Sequence, residues 1–311
     1  MVSVQVLLAA YNGEAWLPEQ LDSLLCQTER NFTVLYQDDG SSDGTAELLA
    51  RRSGEDPRLR AGREQGCRLG ARGNFLSLIR QTRADRVLLC DQDDVWEPRK
   101  IARLQEAMDS AERRYGPRTP LVVHSDCRVI DGTGQELFPS FFRHQGWDPA
   151  AVELPRLLVQ NNVTGCTLMM NRPLTDLVAA FAEADRIFMH DWFIALTAAA
   201  FGRVVFLDEP LIRYRQHAGN AVGASGAGQV SRGLKAAARW KEGRNRIRLT
   251  YSHTRAFLAL YGDRLPASAR KTAEDYLATE ALPKPARLLA IKKQGCVMQS
   301  PVTRLGQFIF G

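Results

Sequence analysis

The stretch VQVLLAAYNGEAWLPEQLDSLLCQTERNFTVLYQDDGSSDG, residues 4–44, decides how this chain folds. It opens on a continuous apolar run, Val4–Ala9, as parallel strands buried on both faces require. Trp16, Leu17, Leu21, Leu24 and Leu25 then recur at helical spacing over Glu14–Cys26. A second strand, Phe32–Tyr36, stops at the turn-rich cluster Asp38–Gly44, which can cap a helix starting near Thr45.

The rhythm continues downstream. Gly70–Ile79 begins a third helix, and Arg86–Cys90 is a short apolar strand ending at Asp91-Gln92-Asp93-Asp94. Pro98 opens a charged helix through Met108, and Leu121–His124 is a further strand. This alternation implies an α/β fold with a Rossmann-like, doubly wound, mostly parallel sheet. Residues 121–227 are mixed, with a polar-apolar stretch (Gln160–Asn171), a helix from about Asp191 to Phe201 and a strand at Val204–Leu207. Gly219–Gly228 reads as a linker. Beyond it, Val230, Leu234, Ala237, Trp240, Ile247 and Tyr251 recur at helical spacing among basic residues, with Arg244 the exception on that face.

Composition bounds the function classes. The chain has 311 residues, 45% apolar and 24% charged, which excludes disordered and fibrous proteins. Six cysteines form no CxxC pair and no zinc-spaced cluster, so a reducing compartment, the cytoplasm, is expected. The N-terminus lacks the basic region and cleavage site of a signal peptide, and no segment has the roughly 18 apolar residues of a membrane helix. The net charge of +6 conceals an asymmetry: residues 228–311 hold 16 Lys/Arg and 5 Asp/Glu, while the rest of the chain is net acidic. A basic tail on an acidic body points to an anionic surface.

In doubly wound sheets ligands bind beyond the carboxyl ends of the strands. Three polar clusters separated in sequence converge there: Ala10-Tyr11-Asn12, Asp38-Asp39 and Asp91–Asp94. Asp91 and Asp93, one residue apart on a tight turn, can hold Mg²⁺ together with substrate phosphates. The plainer reading, an acidic helix cap, loses ground because of that position. Asp38-Asp39 could accept a hydrogen bond from the imide of uracil or thymine, or simply build a turn. Tyr11 could stack on a base or fill the core. Gly66, Gly70 and Gly73 lack the dinucleotide-binding spacing, and there is no P-loop. Arg68 and Arg72 could meet a diphosphate; Arg72, which opens a helix, is favoured. Asp191 could take a proton from a hydroxyl or cap its helix. His217 could bind metal or diphosphate, or be structural.

Seven segments carry a resemblance: LLAAYNGEAWLPEQLDSLLCQT (7–28), QDDGSSDGT (37–45), LGARGNF (69–75), CDQDDVWEPRK (90–100), VTGCTLMMNR (163–172), MHDW (189–192) and DEPLIRYRQHAGNAVGA (208–224). Together they resemble family 2 glycosyltransferases of the GT-A fold, especially bacterial rhamnosyltransferase-like members. The resemblance implies a donor-binding half (1–120), an acceptor-binding half with the catalytic base (121–227) and a basic helical tail (228–311). It implies donor contacts from Ala10, Tyr11, Glu14, Asp38, Asp39, Arg72, Asp91, Gln92 and Asp93. It also implies that Asp91 and Asp93 are a DxD pair, one toward the ribose and one toward a divalent metal, Mg²⁺ or Mn²⁺, with Asp94 able to share either role and His217 a further candidate ligand, and that Asp191 is the base of an inverting transfer. The QxxRW motif of processive synthases is absent, which points to addition of a single sugar.

The expected donor is dTDP-L-rhamnose, the alternative a UDP-hexose, and the acceptor a cell-surface glycan or a lipid-linked hydroxyl. A nucleotide-sugar binding protein without transfer activity is the non-enzyme alternative. The tail has no nucleic-acid motif, so no nucleic-acid partner is expected. Its amphipathic spacing fits either the inner face of the cytoplasmic membrane or packing on the catalytic body.

Overall fold

A computed structural model describes residues 2–217 and 232–310, with the side chains of 232–244, Arg246, Val302 and Phe310 outside that description. The linker reading at 219–228 and Val230 therefore lie outside the described residues, as do the side chains of Leu234, Ala237, Trp240 and Arg244.

The strands are β1 (Val4–Ala10), β2 (Thr33–Asp38), β3 (Leu59–Ala61), β4 (Arg86–Asp91), β5 (Val95–Trp96), β6 (Leu121–Ile130), β7 (Glu136–Phe138), β8 (Leu168–Asn171) and β9 (Arg203–Arg215). The α-helices are α1 (Leu17–Leu25), α2 (Thr45–Glu55), α3 (Gly70–Gln81), α4 (Lys100–Tyr115), α5 (Phe141–Gln145), α6 (Leu154–Val159), α7 (Arg172–Phe181), α8 (His190–Phe201), α9 (Arg232–Tyr261), α10 (Ala267–Ala278), α11 (Lys284–Gln294) and α12 (Pro301–Phe310).

All nine strands join one sheet in the order β3-β2-β1-β4-β8-β6-β9-β5, with β7 paired to β6. The first four, β3-β2-β1-β4, are mutually parallel, and so are β6 and β9. The short strand β8 runs antiparallel to both β4 and β6 and welds the two parallel blocks together. The sheet thus runs through both halves expected from sequence.

The apolar run of β1 is explained by burial on both faces. Val6 and Leu8 point into a layer shared with Leu17, Leu21 and Leu24 of α1 and Leu104 of α4. Leu7 points into the opposite layer, among Phe75 of α3 and Phe193 of α8. That second layer also receives Tyr251, Phe257, Tyr276 and Met298 from the tail. Ile247 and Tyr251, expected on an amphipathic stripe, are therefore core residues at 7% and 2% exposure.

Two local features shape the site edge. Asn12 adopts φ +49°, in the left-handed region that Asn tolerates better than most residues. Its Oδ1 accepts from Ser42 N–H at 2.8 Å, so the β1 and β2 loops lock together. The antiparallel pair β5–β9 sets Val95 opposite Arg213. This register brings residues 215–217 alongside the acidic loop 91–94.

Candidate active site

The carboxyl ends of β1, β2 and β4, the N-terminus of α8 and the tail border one cleft of about 890 Å3. Of the expected residues, Ala10, Tyr11, Asp39, Gln92, Asp91, Asp93 and Asp191 line it. Tyr11 is 54% exposed, which a stacking platform needs and a core residue would not show.

The two aspartates after β2 divide their work. Asp38 builds the turn: its Oδ2 accepts from the N–H groups of Gly40 and Ser41, both at 3.0 Å. Asp39 accepts from Leu69 N–H at 2.5 Å and Gly70 N–H at 2.7 Å, fixing its carboxylate at the start of α3 on the cleft wall.

Glu14 and Arg72 sit elsewhere. Glu14 Oε2 accepts from Gly44 N–H at 2.9 Å and so serves the start of α2, outside the cleft lining. Arg72 lies on α3, and its Nη1 donates to Ile187 O at 2.6 Å and to Phe188 O at 3.4 Å. Its guanidinium is committed to two carbonyls of the 187–188 segment, and Arg72 is not among the residues that line the cleft. The arginine that lines the cleft is Arg68, beside Gly40 with φ +53°. Helix position favoured Arg72 in the sequence; the turn that presents Arg68 depends on Gly66 and Gly70, both at positive φ.

The acidic loop is electrostatically crowded. Burial, then Asp93, Asp94 and Asp191, push the Asp91 carboxyl well above its usual range, with Lys100 pulling the other way. Asp94 is fully buried and is raised by the same burial and by Asp93. Its Oδ1 accepts from Arg215 N–H at 3.0 Å, and Oδ2 has no partner among the described residues. Lys100 supplies a buried counter-charge: its Nζ donates to Cys166 O at 2.5 Å and lies 3.5 Å from the centroid of the Trp96 ring. Ligand atoms of Asp91, Asp94 and Cys166 lie within 4.8 Å of one another.

His217 approaches from β9, with Nε2 2.8 Å from Asp93 Oδ2. Its ring is stacked on Trp16 at 3.8 Å, and Trp16 Nε1 donates to Gly132 O. Arg215 is 1% exposed, and its Nε donates to Asp93 O at 2.7 Å while Nη2 donates to Glu19 Oε2 at 2.6 Å. Asp91 and Asp94 bring hard carboxylate oxygens suited to Mg²⁺ or Mn²⁺ into one group, while His217 adds an imidazole beside Asp93. A divalent cation there would offset the crowding of negative charge. Trp16, Lys100 and Arg215 were not singled out from sequence. Trp16 reads as one more apolar helix residue, and nothing local marks a Lys or Arg as buried.

Asp191 sits in the first turn of α8, where a helix N-terminus favours negative charge. Burial pushes its carboxyl up to about 6, partly offset by hydrogen bonds from the N–H groups of Trp192 and Gly165 and the side chain of Asn161. The neighbouring His190 is buried against Phe75 and depressed to about 3, so it is neutral.

The doubly wound, mostly parallel sheet, with a carboxylate-lined cleft beyond its strand ends, has the architecture of the GT-A fold. In comparison with known proteins, a model described as glycosyl transferase family 2 matches residues 5–119. The match covers the N-terminal block from β1 through α4.

The chain is 26% identical over 231 residues to the dTDP-rhamnosyl transferase RfbG of Shigella flexneri, covering 70% of this chain and 74% of that one. It is also 26% identical over 219 residues to an uncharacterized protein of Mycobacterium tuberculosis, and there it spans 59% of the relative's length and 69% of its own. Among solved structures, S. aureus TarS 1–349 in complex with UDP-GlcNAc superposes with a TM-score of 0.59 at 16% identity, over 94% of this chain and 80% of that one. A mannosyltransferase from Pyrobaculum calidifontis in complex with GDP-Man and Mn²⁺ gives 0.53 at 17% identity, over 94% and 72%. No helix among the described residues is long and apolar enough to cross a membrane.

Proposed function

We propose that the protein transfers a single sugar, L-rhamnose from dTDP-L-rhamnose, to a hydroxyl of a cell-surface glycan or lipid-linked acceptor, with inversion. The observation that carries the transfer reading is that Asp91, Asp93 and Asp191 line one cleft with Tyr11 and Asp39. Tyr11 and Asp39 bind the base, and Ala10 and Gln92 border the nucleotide. Asp91, Asp93 and His217 hold a divalent cation, which when bound neutralises charge on the departing diphosphate.

Asp191 takes the proton of the attacking hydroxyl. A carboxyl raised toward neutral pH is a stronger base than an ordinary aspartate, yet still ionised at pH 7. Attack on the face opposite the leaving group needs no covalent intermediate. The rhamnose assignment rests on the likeness to the Shigella transferase. A donor screen tests it, measuring nucleoside diphosphate released from dTDP-L-rhamnose, UDP-glucose, UDP-galactose and UDP-N-acetylglucosamine. Preference for dTDP-L-rhamnose is expected; preference for a UDP-hexose would overturn the donor, and no release from any would overturn the transfer reading. The basic tail is further proposed to meet the anionic inner face of the cytoplasmic membrane through its Lys and Arg residues.

A further inference from the structure

The side of the cleft away from the nucleotide end has its own chemistry. Phe141 packs edge-on against Trp147 (5.6 Å, 89°) and Tyr214 (6.2 Å, 86°), and all three line the cavity. Buried Asp126 holds this platform by accepting from the N–H groups of Phe141 and Phe142. Amides line the same cavity: Gln145, Gln160, Asn161 and Asn162. Among the described lining residues the only Lys or Arg is Arg68, back beside Gly40.

Two of these amides have an unsatisfied end whose identity is set by the other end. Gln160 Oε1 accepts from Gln299 N–H at 3.0 Å, which leaves Nε2 buried without a partner. Asn162 Nδ2 donates to Asp148 O at 2.9 Å, which leaves Oδ1 buried without a partner on a residue only 2% exposed. Two residues of the lining therefore carry a buried unpaired donor and a buried unpaired acceptor, in the same cavity as the aromatic cluster. Buried polar groups left unpaired are costly, and a ligand that both donates and accepts relieves that cost.

The helical tail completes this lining. Met298, Ser300 and Thr303 line the cavity, and Gln299 between them is a rivet: its N–H meets Gln160 and its Oε1 accepts from Asp148 N–H at 2.8 Å. Arg156 Nη1 adds a bond to Val297 O at 2.9 Å. Ser300 and Thr303 are joined by their hydroxyls at 2.9 Å.

We propose that this part of the lining is a carbohydrate subsite: it takes a pyranose ring of the acceptor, and the tail segment Met298–Thr303 selects which ring enters. The proposal rests on the glycosyltransferase reading for the word acceptor. Adjacent ring hydroxyls can donate to Asn162 and accept from Gln160, while the C–H face of the ring lies on the aromatic platform. An alkyl chain would leave both amide ends unpaired, and among the described residues no Lys or Arg lines this side of the cavity to meet a phosphate.

The test is saturation-transfer NMR on the full chain with dTDP and Mn²⁺ present. The probes are the methyl glycosides of rhamnose, glucose, galactose and N-acetylglucosamine, beside octanol and a Ser/Thr-containing peptide. At least one glycoside is expected to bind, and the other two probes are not. Binding is expected to weaken about tenfold or more in Trp147→Ala and Thr303→Trp, and to persist in Trp147→Phe and Thr303→Ser, which guards against misfolding. Because binding needs no turnover, the result is independent of the donor screen. Absence of glycoside binding, binding unchanged in Trp147→Ala and Thr303→Trp, or binding of octanol or peptide alone would each overturn the subsite.

Discussion

His217 Nε2 stands 2.8 Å from Asp93 Oδ2, although 123 residues of chain separate them. The pairing of β5 with β9 makes this contact, and Trp16 stacked on the imidazole fixes its plane. Asp93→Ala is expected to abolish turnover and the Mn²⁺-dependent part of dTDP or UDP affinity. Trp16→Ala, which removes support without removing a ligand, is expected to weaken that affinity about 10–100-fold. Calorimetry with and without Mn²⁺ reads both; affinity unchanged in Asp93→Ala would remove the metal assignment.

Asp191→Asn is expected to keep nucleotide binding and lose about 10²–10⁴-fold in kcat. The pH dependence has a defined sign. The base works ionised, so activity falls as pH drops through about 6, higher than an ordinary aspartate would allow. Stability moves the opposite way. The folded carboxyl holds its proton more tightly than the unfolded one at 3.8, so stability is lost as pH rises from 3.8 to about 6. Asp191→Asn should therefore be more stable than the parent at pH 7, and equally stable below about pH 3. A wild-type acid limb near pH 4 would contradict the raised carboxyl.

Arg72 braces the segment that leads into Asp191, bonding Ile187 O and Phe188 O from α3. From the other side, Phe188 N–H reaches His253 Nδ1 on α9 at 3.4 Å. Arg72→Ala is expected to lower kcat by about 10²-fold, the scale for misplacing a catalytic group by an ångström. Donor Kd should stay near that of the parent. A large rise in Kd with kcat intact would instead return Arg72 to the diphosphate.

What the sequence made legible follows from the range of each signal. The strand-helix rhythm of 4–44 and the acidic strand end at Asp91 are local patterns, and both occur where expected. Boundaries shifted modestly: the helix read from Pro98 to Met108 runs over Lys100–Tyr115, and the strand at Val204–Leu207 extends over Arg203–Arg215. β8 was hidden inside Gln160–Asn171 because four buried residues carry no period of their own. The antiparallel β8 and the pairing of β5 with β9 are long-range events, so neither the Asp93–His217 contact nor the burial of Lys100 could be read along the chain. The tail left two readings open for a related reason, since Ile247 and Tyr251 make an apolar stripe whether it faces lipid or core.

The tail's contribution to folding gives the last prediction. Phe257 on α9 is fully buried, packed edge-on against Phe193 of α8 at 6.1 Å and Tyr261 at 5.2 Å. Tyr261 in turn stacks on Phe193 and shares a hydrogen bond with Thr197 at 2.9 Å. α8 also carries Asp191, so the tail and the base share one packed layer. Phe257→Ala removes an aromatic ring from a site with little room to collapse, and is expected to destabilise the fold by about 3–5 kcal/mol. Truncation after Gly228 removes every tail residue from that layer and should leave the remainder aggregated or without cooperative unfolding. Denaturant unfolding of Phe257→Ala and thermal melting of the truncated chain check the two. A truncated chain that melts cooperatively near the parent temperature would show that the tail is not needed for folding.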